Sequence, residues 1–170
     1  FKAHTGTTMG THKWVETKIF RDIDTPLKRL KDDNYQIVAA DISGSTKDYR
    51  DIDYSVPTAL LLGAEKYGIS DAAYPYIDQC ITVPMVGMVE SFNVSVACAI
   101  ILAEARRQRE TLGYYSKRQI TDDVFRKTIL EWTQPLVARY CQKHNITYPE
   151  LDDNGNIHDL DWRTRGHVLD

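Results

Sequence analysis

The sequence predicts an α/β fold in which a parallel sheet is covered by helices. Three observations carry this. Residues 35–40 (YQIVAA), 59–62 (ALLL) and 80–83 (CITV) are short runs that are apolar on both faces, as strands buried between two helical layers are. Stretches with helical signals alternate with them, which is the pattern of α/β architecture. Finally, 170 residues with 42% hydrophobic and 26% charged side chains suit one compact globular unit.

Each element has its own local cause. A helix over 25–33 is expected to start with the Thr25 hydroxyl as cap and Pro26 at the first helical position. The strand at 35–40 runs into a loop punctuated by Ser43, Gly44, Ser45 and Pro57. A second strand at 59–62 ends at Gly63. Ser70 is placed to cap a short helix through Tyr74, and the third strand stops at Pro84. A long helix is expected over 93–112. Its apolar stretch 94–103 is closed by Glu104 and Arg106, too short to span a bilayer, which needs ~20 residues. Another helix begins near Thr121 with Phe125, Ile129 and Trp132 on one face, and Pro135 interrupts it before Leu136, Val137 and Tyr140. The tail from Tyr148 is acidic. We therefore divide the chain into a main domain, 1–120, and a C-terminal helical extension with its tail, 121–170.

The charge total misleads. The chain carries 21 basic and 24 acidic residues, net −3, which taken alone argues against a nucleic-acid partner. Six of the acids (Glu150, Asp152, Asp153, Asp159, Asp161 and Asp170) fall in the last 21 residues beside only Arg163 and Arg165. The remainder holds 19 basic and 18 acidic side chains, so a local basic face is compatible with the total. Cys80, Cys98 and Cys141 have no C-x-x-C spacing and read as reduced thiols, favouring the cytoplasm. No signal-peptide pattern is present.

Several chemistries find no support. Gly44-Ser45-Thr46-Lys47 is a turn with a lysine and no phosphate-binding glycine loop, and no G-x-G-x-x-G follows a strand. The five histidines lack paired metal spacing, so no metal is expected. Ser91 is outside any G-x-S-x-G elbow.

Two segments carry more. In Leu61-Leu62-Gly63-Ala64-Glu65-Lys66-Tyr67-Gly68-Ile69-Ser70 a strand delivers a glycine, an acid and a second glycine. Glycine at a strand's carboxyl end lets a ligand approach the backbone, and that end is where open α/β sheets bind. In residues 81–97 (ITVPMVGMVESFNVSVA) a strand breaks at Pro84, passes through a loop with Met85 and Met88, and enters a helix through Ser91 and Asn93. Exposed N–H groups at such a helix start can meet a ligand's acceptors. An apolar methionine-lined loop beside polar caps suits an adenosine-and-thioether ligand.

Together these segments resemble the SpoU/TrmH family of RNA 2′-O-ribose methyltransferases, of the SPOUT superfamily. GAEKYGIS (63–70) looks like the family's second motif and 81–97 like its third, followed by Ala103-Glu104-Ala105-Arg106-Arg107-Gln108-Arg109. The colinear likeness extends from about Gly10 to about Ile157. Residues 48–54 and 146–149 look most like the members that methylate guanosine 18 in the D-loop of tRNA. The resemblance implies a SPOUT-type sheet with a C-terminal trefoil knot, a cytoplasmic homodimer, and S-adenosylmethionine bound in the knot. It implies Ala40, Gly63, Val83, Met88 and Phe92 as cofactor-binding residues, largely through backbone. Glu65, Ser91 and Asn93 match polar active-site positions. Arg107, Arg109 and Lys117 match positions implicated in tRNA contact. The family's first motif, an Asn and an Arg on an early helix, has no counterpart in these residues and is expected upstream of Phe1; the resemblance gives that Arg as the base for the ribose hydroxyl and implies an inactive chain where it is truly absent. The alternatives are a methyltransferase acting on ribosomal RNA or the anticodon loop, and a dimer that only binds.

Overall fold

The computed structural model describes residues 15, 17–42, 44–88, 91–152, 154–158 and 161–163. Most of them fall into two compact units, residues 17–117 and those from 118 onward.

The first unit is built on four strands, β1 (Gln36–Ala40), β2 (Lys47–Asp48), β3 (Thr58–Leu62) and β4 (Gln79–Thr82). Their order is β2-β4-β1-β3 and every pairing is parallel. Val38, mid-strand in β1, stands opposite Leu60 on one side and Gln79 on the other. Helix α1 (Asp24–Asp32) precedes the sheet and α2 (Val94–Thr111) follows it. Two short 3₁₀ turns, Tyr49–Asp51 and Asp71–Tyr76, complete the connections.

Alternation along β1 divides the core into two layers, because successive side chains in a strand face opposite ways. Val38 packs with Ile52, Tyr54, Ile81 and Ile101, the last from α2. Ile37 packs with Leu27 of α1 and Ala73 of the second 3₁₀ turn. Both faces of the sheet are therefore covered. Fully burying an isoleucine contributes roughly 1.5–3 kcal/mol, whereas an exposed ion pair contributes ~0–1 kcal/mol. The apolar layers hold this unit together, and surface pairs such as Arg29–Asp33 add little.

Polar side chains do fix two connections. The Asp78 carboxylate accepts from the Ile37 N–H at 2.7 Å and from the Lys31 ammonium at 2.6 Å, tying α1, β1 and the start of β4. Burial pushes this carboxyl up, but the Lys31 and Ile37 hydrogen bonds prevail and hold it below its ordinary range. Gln108 of α2 accepts from the Tyr54 N–H and donates to the Ile52 carbonyl, both at 2.9 Å, and Arg109 donates to the Tyr54 carbonyl at 2.8 Å. Loop 52–56 is thus hydrogen-bonded to one helix face. The Tyr54 phenol donates to the Tyr49 carbonyl at 2.9 Å, and burial pushes its pKa up to about 12.

The structure differs from the sequence expectation in four local ways. Helix α1 has Ile23 at its N-cap, not Thr25, and the Thr25 N–H is satisfied by Asp22 Oδ1 at 2.7 Å. A carboxylate three residues upstream does the capping, so Thr25 and Pro26 lie inside the first turn, where a missing N–H is harmless. Ser70 precedes a 3₁₀ turn without a side-chain cap; its backbone carbonyl accepts from Ala73 instead. Strand β2 lies within the expected loop, held by its pairing with β4. In the second unit, α3 (Asp122–Thr133) buries Leu130, while Phe125 and Trp132 stay partly exposed. Helix α3 packs on α4 (Pro135–His144), and the buried residues of the two helices are Leu130, Ala138 and Cys141.

Pro135 ends one helix and begins the next, standing in the first turn of α4 where its fixed φ is favourable. The Thr121 hydroxyl caps α3. Tyr148 ties the following segment to both helices: it donates to Glu131 at 2.9 Å and accepts from Gln142 at 2.7 Å. Trp162 is buried and meets the Tyr140 ring edge-on at 5.6 Å between centroids. All three cysteines are free, Cys141 fully buried and the other two half-buried. Among the described residues no helix is long and apolar enough to cross a membrane.

Candidate active site

The carboxyl ends of β1, β3 and β4 and the start of α2 converge on one cleft of about 430 Å³. A parallel sheet makes this the natural place, since its strands all end on the same side and leave backbone groups facing the gap. The volume lies within the ~300–1,000 Å³ range of small-molecule sites.

Of the residues singled out from sequence, Ala40, Gly63, Glu65, Val83, Ser91, Phe92 and Asn93 all line this cleft. Ala40 closes β1, Gly63 follows β3 and Val83 follows β4. Met88 does not line it and is fully exposed. Arg107 and Arg109 lie 14 and 16 residues along the chain from Asn93, hence roughly 20 Å away by the helical rise of 1.5 Å per residue. Lys117 lies beyond the end of α2.

Gly63 is required for a reason beyond ligand approach. A Cβ there would come within 2.4 Å of the Gly68 carbonyl carbon and 2.7 Å of the Ile69 nitrogen, both backbone. The chain after β3 folds back on itself: Ala64 N–H donates to Gly68 O at 2.8 Å and Gly68 N–H to Ala64 O at 2.7 Å. Gly68 adopts φ +65° to close this turn, a conformation that glycine takes at no steric cost. Glu65 sits on the turn, exposed toward solvent at the cleft.

Asn93 is the N-cap of α2. Its Oδ1 accepts from the Ser95 N–H at 2.9 Å and from the Ser95 hydroxyl. The side-chain oxygen is thereby committed to the helix, leaving the amide NH₂ as the part available to a ligand. Ser91 lines the cleft two residues earlier without capping the helix.

Sequence reasoning missed Asp41. It directly follows β1, lines the cleft, and accepts from the Tyr74 hydroxyl at 2.6 Å. The signal was available, because the residue after a strand's carboxyl end faces the crevice. The lining holds two carboxylates, Asp41 and Glu65, and no lysine or arginine among the described residues. Such a cleft favours a cationic ligand. Among the described residues no group of three or more His, Cys, Asp or Glu is placed to hold a metal ion.

The arginines expected to face RNA have partners within the unit. Arg107 makes a two-pronged pair with Glu104 at 2.8 and 2.7 Å. The hydrogen bonds from Arg107 and Gln108 bring the Glu104 carboxyl down to about 2. Arg109 spends its Nε on the Tyr54 carbonyl and reaches the Val56 carbonyl at 3.4 Å.

A doubly covered parallel sheet with a ligand cleft at its strand ends, followed by a helical C-terminal piece, is the setting in which the family comparison is decisive. Residues 2–103 match the model of the SpoU rRNA Methylase family, and residues 107–160 that of the SpoU rRNA methylase C-terminal region; the chain belongs to this family. It is 38% identical over 156 residues to the tRNA (guanosine(18)-2′-O)-methyltransferase of Escherichia coli, covering 90% of this chain and 68% of that one. It is 40% identical over 126 residues to the enzyme of the same name from Thermus thermophilus, covering 74% of this chain and 65% of that one. Among solved structures, the A. aeolicus TrmH/SpoU tRNA modifying enzyme superposes with a TM-score of 0.74 at 38% identity, over 80% of this chain and 69% of that one. The chain thus spans about two thirds of the length of these relatives.

Proposed function

We propose that this chain catalyses S-adenosylmethionine-dependent 2′-O-methylation of guanosine 18 in the D-loop of tRNA, acting as a cytoplasmic homodimer with a trefoil-knotted cofactor site. In this reading residues 1–120 form the methyltransferase domain and 121–170 its C-terminal extension. The observation that carries it is the 38% identity, across 90% of the chain, to an enzyme named for that reaction. The chemistry of the cleft supports it. Apolar walls from Ile81, Val83, Phe92 and Val94 suit an adenosine, and the Asp41 and Glu65 carboxylates favour a cationic ligand.

When bound, S-adenosylmethionine supplies a methyl group carried on a sulfonium. The protein's task is to hold the ribose hydroxyl in line with that group; orientation of this kind accounts for up to ~7–11 kcal/mol of a barrier. Asn93, with its oxygen fixed by Ser95, presents its NH₂ to a ribose or nucleotide oxygen. Ser91 adds a hydroxyl beside it. Glu65, on its turn, orients the ribose by accepting from a sugar hydroxyl. Arg107, Arg109 and Lys117 form a distant phosphate-contact region, which sets affinity rather than chemistry.

The test is transfer of a labelled methyl group to an unmodified tRNA transcript, beside one carrying 2′-deoxyguanosine at position 18. Label confined to the first transcript is the expected result. Label in ribosomal RNA, in the anticodon loop, or equally in both transcripts would overturn the assignment.

A further inference from the structure

Between Glu65 and Gly68, which line the cleft, the turn carries two side chains that the mechanism leaves unused. Tyr67 is 79% exposed, and the Lys66 ammonium stands 5.1 Å from its ring centroid. The support beneath them is stiff. Two short backbone hydrogen bonds close the turn, and its packing against Gly63 leaves no room for a Cβ. A large aromatic ring is therefore displayed to solvent at the rim of the cleft, where it contributes nothing to either core layer.

Charge separates what can enter the cleft from what must stay outside. The lining has the carboxylates of Asp41 and Glu65 and no basic side chain among the described residues, so a phosphate is repelled from the cleft and drawn to Lys66. A reaction at a 2′-hydroxyl brings the ribose inward and leaves neighbouring bases at the rim. An exposed ring beside a cation is the combination that receives splayed, single-stranded nucleotides: every base has a face to stack, and each carries a phosphate.

We propose that Tyr67 and Lys66 form a nucleotide subsite at the mouth of the cleft, Tyr67 stacking on the base next to the methylated nucleotide and Lys66 pairing with its phosphate. This rests on the reading of the chain as an RNA ribose methyltransferase.

The experiment uses the full chain and tRNA transcripts with 2-aminopurine beside position 18, read by fluorescence, by binding affinity and by methyl transfer. Tyr67→Ala is expected to weaken binding and raise KM about tenfold, to abolish the stacking-dependent fluorescence change, and to leave kcat within about twofold. Tyr67→Phe should restore all three. Lys66→Gln should lower the slope of log Kd against log salt by about 1. Because Tyr67 is exposed, urea unfolding of Tyr67→Ala should match the wild type. A wild type that methylates tRNA while Tyr67→Ala binds and reports as tightly overturns the subsite alone. Loss of self-association in Tyr67→Ala with unchanged RNA affinity also overturns it, assigning the ring to a protein contact. A wild type that binds no tRNA overturns both the subsite and the function.

Discussion

Replacing Gly63 with alanine is expected to lower the unfolding free energy by roughly 1–3 kcal/mol, the range for forcing atoms into a filled space, and to abolish cofactor binding. The added Cβ would stand 2.4, 2.7 and 2.8 Å from three backbone atoms of Gly68 and Ile69. A flexible side chain would swing away from such a contact. Backbone cannot, and this backbone is pinned by the Ala64–Gly68 hydrogen-bond pair. Either that pair breaks or β3 shifts at Leu62, and both displace the cleft wall. Gly68→Ala separates the steric cause from a conformational one, since its Cβ would meet nothing within 4 Å and only the left-handed strain of about 1–2 kcal/mol remains. Urea unfolding and calorimetry with S-adenosylhomocysteine check both variants. A Gly63→Ala protein that is as stable as wild type and binds normally would contradict the packing described for the turn.

Gln108→Leu should destabilise by about 2–6 kcal/mol, because it strands two backbone groups at once and each buried unpaired group costs ~1–3 kcal/mol. Tyr54 and Ile52 are both 2% exposed, so water cannot replace the lost partners of the Tyr54 N–H and the Ile52 carbonyl. Leucine is similar in size to glutamine, and the volume of the site is nearly unchanged. The comparison is Arg106→Gln, which removes an exposed pair with Glu110 on the same helix and should cost at most about 1 kcal/mol. Equal destabilisation by the two variants, measured by urea unfolding, would show that loop 52–56 is not held by Gln108.

The physics behind these two residues also explains how far the sequence could be read. Strands β1, β3 and β4 were legible because burial on both faces demands uninterrupted apolar runs. Strand β2 was not: Lys47-Asp48 has the composition of a loop, and only pairing with β4 makes it a strand. The Pro135 break was legible because proline lacks an N–H. The cap on α1 was misplaced because Thr25 has cap chemistry, while the carboxylate that reaches the N–H comes from Asp22. Helix α3 carried two large aromatics on the expected face, yet the residue it buries is Leu130, a choice that helical periodicity alone does not make.

In the cleft, glycine and polar signals at strand ends and helix starts named Gly63, Glu65, Ser91 and Asn93 as candidates. The same geometric rule, applied one residue past β1, would have added Asp41. What sequence had no means of seeing was competition for each group. Asn93 has one side-chain atom committed to Ser95, Arg109 is hydrogen-bonded to loop carbonyls 53 and 55 residues away in sequence, and Gly63 faces its own turn. Met88, expected as a pocket wall because it is a soft apolar residue in the loop, is fully exposed in this structure.

Whether the strand-end cleft holds the methyl donor is tested most directly by titrating S-adenosylhomocysteine into the ¹⁵N-labelled chain and following backbone amide shifts. Saturable shifts concentrated at residues 40–42, 62–65, 81–83 and 91–97 are expected. Saturable binding whose shifts fall elsewhere, or no shift at all at millimolar ligand, would contradict the cleft as the donor site.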